Sequence, residues 1–218
     1  MEHSYSQLWA RFQKTLKQRN QLLRHARIDE DSLRAWTAEL APLGEQISTH
    51  RKRYVDGLVP HIEAVAKTFD GLGVLEVEYY QGWSEKMSLT EAMDFDSKRD
   101  LALGTTCHGA HKADMRVKVD GMPAADVLSR GQTKLLVYAL KLAQATYFRD
   151  KIGESCVFLL DALPAEQDYH HRQQVVSCLY RLGCQFFVTG VDKKDFEVLM
   201  KDSAYQMFHM EHGAITAG

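Results

Sequence analysis

Long hydrophobic runs are missing from this chain: nowhere do about eighteen apolar residues follow one another, so no bilayer-spanning helix is expected. The opening "MEHSYSQLWARF" has no basic segment leading into an apolar one, so no signal peptide is expected either. Proline and glycine are scarce, at four and fourteen residues, which leaves little room for long disordered linkers. The net charge is only −2, so no overall field gathers nucleic acid, and any such attraction has to be local. Cys107, Cys156, Cys178 and Cys184 form no CxxC pair and read as reduced thiols of a cytoplasmic protein. Cys107, His108 and His111, with His170 and His171 elsewhere, lack the paired spacing of a structural zinc site. No GxSxG elbow is present, so a hydrolase nucleophile of that type is excluded.

What is present is a 218-residue chain, 45% hydrophobic and 26% charged, long enough to bury a sizeable core. It opens with two helical patterns. Trp9, Phe12, Leu16 and Leu23 form one apolar stripe, and Leu33, Trp36, Leu40, Leu43, Ile47, His50 and Tyr54 form a heptad-like seam. "RIDEDS" between them predicts a turn, with Asp31 or Ser32 capping the second helix. Together they predict an antiparallel helical hairpin, bent or interrupted at Pro42.

Beyond about residue 70 the period changes. "GVLEVEYYQGW" and "MRVKVDG" predict strands, with "SLTEAMDFDSKRDLALG" predicting a helix between them. A helix then follows Ser129, the strand "SCVFLLD" comes next, and a helix covers about 169–182. The strand "CQFFVTG", a helical "KKDFEVLMK" and a terminal hairpin "YQMFHMEHGAIT" close the pattern. Strands alternating with helices predict an α/β layer. Tyr79, Tyr80 and Trp83 offer stacking faces, but aromatics on a half-buried strand read first as core.

The stretch "DVLSRGQTKLLVYALKLAQ" places Ser129 and Gln132 as a capping box at the start of a long helix. Gly131 removes a side chain that would keep a ligand from the backbone, and Arg130 adds a charge near the helix dipole. An ordinary capped helix has the same pattern. Downstream, "CVFLLDALPAEQD" is an apolar strand that delivers the carboxylate of Asp161, the arrangement that holds Mg²⁺ near phosphates. The two in this order, followed by a helix and a further strand, are far more specific than either alone.

On these residues the chain resembles the RecF family, bacterial DNA-repair ATPases of the ABC/SMC class. "LSRGQ" is similar to the ABC signature, "VFLLD" to the Walker B strand, and "AEQD" stands where the family's D-loop reads Ser-Glu-Leu-Asp. "LKQRNQLLR" and "LAPLGEQIST" resemble the family's arm, and "MFHMEHGAIT" its final strand pair. The resemblance implies that Ser129, Arg130, Gly131 and Gln132 contact the γ-phosphate of ATP held by a second subunit. It implies that Asp161 orders Mg²⁺ and that Glu166 and Asp168 belong to the D-loop. His111, Lys112 and Asp114 match a "GPHK/R-x-D" block, with Ala110 in place of proline. A turn satisfied by its own side chains would account for that block equally well.

The chain departs from the family pattern twice. No glycine is followed by lysine, so it holds no P-loop to cradle phosphates, and it reads as an arm plus the second lobe of the head. Ala162 stands where the family carries the acid that activates water, so no catalytic residue is assigned and no hydrolysis is expected of this chain alone. Degeneration, engineering and a different mechanism all remain open as its origin. Ala165 and Gln167 replace the usual D-loop serine and leucine, and Thr189–Gly190 occupy the region of a γ-phosphate-sensing histidine.

Arg11, Lys14, Lys17, Arg19, Arg24 and Arg27 face one acid, Glu2, within the first 27 residues, and Arg51, Lys52 and Arg53 add a second cluster. On an arm such cations suit a sequence-independent, salt-sensitive DNA track, led by Arg11, Lys14, Lys17, Arg51, Lys52 and Arg53. A solvated helix face has the same composition. The expectation is therefore an α/β second lobe of an ABC/SMC-type ATPase head at 70–218 with a helical arm at 1–69. The implied function is ATP- and Mg²⁺-dependent DNA binding at gaps and recombinase loading in replication, recombination, repair and the SOS response. RecR- and RecO-type proteins and an ATP-dependent homodimer are the implied partners. A non-enzymatic DNA- or partner-binding module, or half of a split SMC-like head, are the alternatives.

Overall fold

The first apolar stripe folds into α1, His3–Leu23, and the second into α2, Glu30–Ala66. The computed structural model describes residues 3–25, 29–161, 169–194, 196 and 204–217. These divide into two compact units, one of residues 1–60 and 74–126 and one of 61–73 and 127–218.

In the first unit, α1 and α2 run antiparallel: Arg11 pairs with Glu39, Arg19 with Thr37, and Arg51 with Tyr5. Their core joins Phe12, Leu40, Ala41, Leu43 and Ile47 to Trp83, Leu89, Ala92, Met93 and Ala110. Trp83 is thus a core residue rather than a stacking platform. Pro42, expected to bend or interrupt α2, does not interrupt it, and neither does Pro60. Pro42 costs one backbone hydrogen bond, but Leu40, Ala41, Leu43 and Ile47 anchor the chain on both sides of it in one core. The cap of α2 is Asp29, not Asp31 or Ser32. Its carboxylate accepts the Asp31 N–H at 3.2 Å and the Ser32 hydroxyl at 2.5 Å. The seam also leaves the expected track, since Tyr54 is exposed and Val55 and Leu58 are buried.

The strand β1, Leu75–Tyr80, pairs antiparallel with β2, Asp114–Val119, which pairs with the short β3, Met122–Pro123. Asp120 and Gly121 both take positive φ, the pattern of a tight primed turn that glycine accommodates without strain. The single helix expected from "SLTEAMDFDSKRDLALG" is two, α3 at Leu89–Phe95 and α4 at Ser97–Leu103. Asp96 breaks them: its backbone leaves the helical region and its carboxylate accepts from His108 Nε2 at 2.6 Å. The short helix α5, Ala124–Val127, follows β3.

The second unit is built on α6, Arg130–Ile152. Leu135, Leu136, Ala139, Leu142 and Ala143 recur at helical spacing and are buried. The strand β4, Phe158–Leu160, lies parallel to β5, Phe186–Val188, with α7, Tyr169–Leu182, in the crossover between them. Val175, Val176, Cys178 and Leu179 bury one face of α7, which packs on α6. The register partners Leu159 and Phe187 are 79% and 49% exposed, so this two-stranded sheet carries an uncovered apolar pair. A hairpin of β6, Phe208–Glu211, and β7, Ala214–Ala217, ends the described chain. Most of the expected "KKDFEVLMK" helix lies outside the described residues.

Candidate nucleotide half-site

Ser129 sits at the N-cap of α6 in extended conformation, and its Oγ accepts the Gln132 N–H at 3.3 Å. Gln132 Oε1 returns the contact by accepting the Ser129 N–H at 3.0 Å, so both halves of the capping box are formed. The Thr133 N–H and hydroxyl both donate to the Ser129 carbonyl, at 2.8 and 2.9 Å. Gln132 has a second task that its sequence context did not signal: its Nε2 donates to the Gly71 carbonyl at 2.9 Å. That fixes the rotamer that the capping box requires.

Ser129, Arg130 and Gly131 are exposed at this helix start, and the first turn holds no acidic residue. A Cβ placed on Gly131 would meet nothing within 4 Å among the described residues, so none of them demands glycine there. An exposed helix start at the positive end of a 23-residue helix, with a guanidinium beside it, is chemically fitted to a phosphate group approaching from outside.

Asp161 is exposed immediately after β4, where the strand delivers it. Its Oδ1 accepts the hydroxyl of Thr189, which follows β5, while the Thr189 N–H donates to the Leu160 carbonyl at 3.0 Å. The "VTG" segment, read from sequence as the absence of a histidine, therefore holds the carboxylate expected to order Mg²⁺. A hydroxyl can act as such a strut, and the parallel pairing of β4 with β5 is what brings the two together. Ala162, Ala165, Glu166, Gln167 and Asp168 lie outside the described residues. Among the described residues, no cluster of three or more His, Cys, Asp or Glu side chains is arranged to hold a metal ion.

The basic residues of the arm separate into two kinds. Lys14, Lys17 and Arg53 are exposed, Lys52 lies 3.6 Å from Asp56, and Arg11 reaches Glu39 at 3.0 Å while remaining 64% exposed. Arg51 instead turns inward. It donates to the Tyr5 hydroxyl at 2.9 Å and the Ala110 carbonyl at 2.6 Å, and its guanidinium lies 4.7 Å from the Trp9 ring centroid. Arg19, counted in the basic run, is buried against Asp100, Thr37 and Thr106.

The "HGAHKAD" block also acquires a local account. His111 Nε2 donates to the Thr106 carbonyl at 3.0 Å, its ring tilts against Phe12, and its Nδ1 is buried without a hydrogen-bond partner. Burial pushes the His111 pKa down by removing the charged imidazolium from water. Lys112 and Asp114 are exposed, and the Asp114 carboxylate accepts the Met115 N–H at 2.8 Å.

A capped helix start open to solvent is thus followed, further along the chain, by an aspartate delivered at the end of a strand. The model of the RecF/RecN/SMC N terminal domain matches residues 9–216, and the chain belongs to this family. Within it the similarity is to RecF. The DNA replication and repair protein RecF of Cellvibrio japonicus (strain Ueda107) is 40% identical over 219 residues, covering 99% of this chain and 60% of that protein. The RecF of Stutzerimonas stutzeri (strain A1501) is 39% identical, covering 99% of this chain and 59% of its own length. The chain thus spans about 60% of the length of these curated relatives. A solved structure of the recombination mediator protein RecF-ATPrS in the RecFOR pathway matches with a TM-score of 0.81 at 23% identity. It is covered over 59% of its length and covers 99% of this chain, so the fold is that of RecF, an ATPase-head type with a helical arm.

Proposed function

We propose that this chain supplies the signature, Walker B and D-loop half of a RecF-like, ATP-dependent DNA-repair ATPase, together with its arm. The observation that carries this reading is the start of α6, where the Ser129–Gln132 box is complete and exposed to solvent. Ser129, Arg130, Gly131 and Gln132 would bind the γ-phosphate of ATP cradled by a P-loop that lies outside this chain. Asp161, held by Thr189, would order Mg²⁺ there. ATP and Mg²⁺, when bound, would supply negative and positive charge at this interface; Ser129, Arg130, Gly131 and Gln132 would recognise the phosphate.

The exposed pair Leu159 and Phe187 supports the same reading, because such a face suits cover by further protein. With Ala162 at the acid position, the chain has no residue there to accept a proton from water, and we expect no turnover by it alone. The division into an arm at 1–69 and a head lobe at 70–218 is part of this proposal, as is a cytoplasmic location. So are binding at single-strand gaps, recombinase loading and cooperation with RecR- and RecO-type proteins. The DNA track consists of Arg11, Lys14, Lys17, Lys52 and Arg53. Arg51 is left out because its guanidinium is engaged internally.

Addition of a separately expressed P-loop lobe tests the proposal. An ATP-dependent complex supports it. The same affinity with and without ATP favours a non-enzymatic binding module.

A further inference from the structure

The residues that precede α6 by some sixty positions link its start to a second helix. Gln132 uses both ends of its amide, accepting from Ser129 through Oε1 and donating to the Gly71 carbonyl through Nε2 at 2.9 Å. The residue before Gly71 is Asp70. Its Oδ2 accepts from His170 Nε2 at 2.8 Å and from Gln174 Nε2 at 2.9 Å. His170 and Gln174 stand four apart, on one face of the first turns of α7. Gly71 has φ +84°, a left-handed conformation that lets its carbonyl face α6 while the neighbouring carboxylate faces α7.

We propose that Asp70 is a positioning residue that couples the Ser129–Gln132 turn to the start of α7. The inference rests on the reading of residues 129–132 given above. Asp70 and His170 are 76% and 62% exposed, and ion pairs this wet contribute little to stability. Their consequence is geometric. Movement of the α6 start on contact with phosphate pulls Gly71, and Asp70 passes the displacement to His170 and Gln174. The hydrogen bond from His170 also holds the Asp70 carboxyl below its ordinary range, so it stays an acceptor throughout the neutral pH range.

Amide hydrogen exchange and ¹H–¹⁵N spectra of the chain itself, without nucleotide, test this. His170→Ala alters only α7, yet the amides of Ser129, Gly131 and Gln132 should shift and exchange about fivefold faster. Asp70→Ala should give the same pattern, and adding His170→Ala to it should change the α6 amides no further. Perturbations confined to residue 70 and the α7 turn, or additive effects of the two substitutions, would overturn the proposal. Because no nucleotide is present, failure here would leave the phosphate reading standing, and failure of ATP binding would leave this coupling standing.

Discussion

Arg19 Nη1 donates to Asp100 Oδ2 at 2.7 Å across 81 residues of sequence, with the two side chains only 2% and 1% exposed. Arg19 Nε also donates to Thr37 and Nη1 to Thr106, and the second Asp100 oxygen accepts the Cys107 N–H at 2.8 Å. Removing one partner leaves a charge stranded in the core of the first unit. Asp100→Ala should therefore destabilise this unit by about 3–5 kcal/mol in urea unfolding, whereas the paired change Arg19→Met with Asp100→Leu should recover much of the loss.

His111 makes stability depend on pH. Its folded pKa lies below the usual histidine value because of burial, so between the folded and the ordinary value the unfolded chain binds a proton that the folded one refuses. Stability is undiminished above about pH 6.5 and falls as the pH drops below it. The urea midpoint should decline from pH 7.5 to 5.5, and the decline should shrink in His111→Gln.

A basic stripe on α1 that serves as a phosphate track predicts a specific pattern of loss. Reversing the charges of Arg11, Lys14 and Lys17 should weaken duplex binding at low salt by roughly tenfold or more and flatten its salt dependence. Arg51→Ala, by contrast, should lower the melting temperature through the lost Tyr5, Ala110 and Trp9 contacts while altering DNA affinity much less. Equal DNA effects from both would show that the separation of the two kinds of cation is wrong.

The capping box at α6 is open to a direct test. Ser129→Ala should cost about 1 kcal/mol of stability by freeing the Gln132 N–H. In a head completed with a P-loop lobe, Ser129→Arg should block ATP-dependent complex formation by filling the phosphate position. Normal nucleotide-driven complexes from that variant would mean that this helix start faces away from ATP.

Much of this site was legible because its chemistry is local. A capping box needs residues three apart, so Ser129 and Gln132 declare themselves in sequence, and the apolar run before Asp161 declares a strand. What stayed hidden was the long-range part. Gly71 as the anchor of Gln132, and Thr189 as the strut of Asp161, depend on where the chain returns, and nothing in "DGLG" or "VTG" announces it. The same reason explains the errors in the arm. Pro42 reads as a breaker by propensity, but the core around Leu40 and Ile47 overrides it. Arg19 and Arg51 read as part of a solvated basic run, because a partner such as Asp100 or Tyr5 cannot be inferred from helical spacing.

On the proposed function, this chain carries a phosphate-recognising half-site that holds nucleotide only when a P-loop is supplied. Equilibrium binding of a fluorescent ATP analogue with Mg²⁺, to the chain alone and then with an added P-loop lobe, tests it most directly. The expected result is no saturable binding to the chain alone at millimolar nucleotide, and tight binding that depends on Ser129 once the lobe is present. Micromolar binding by the chain alone would contradict it.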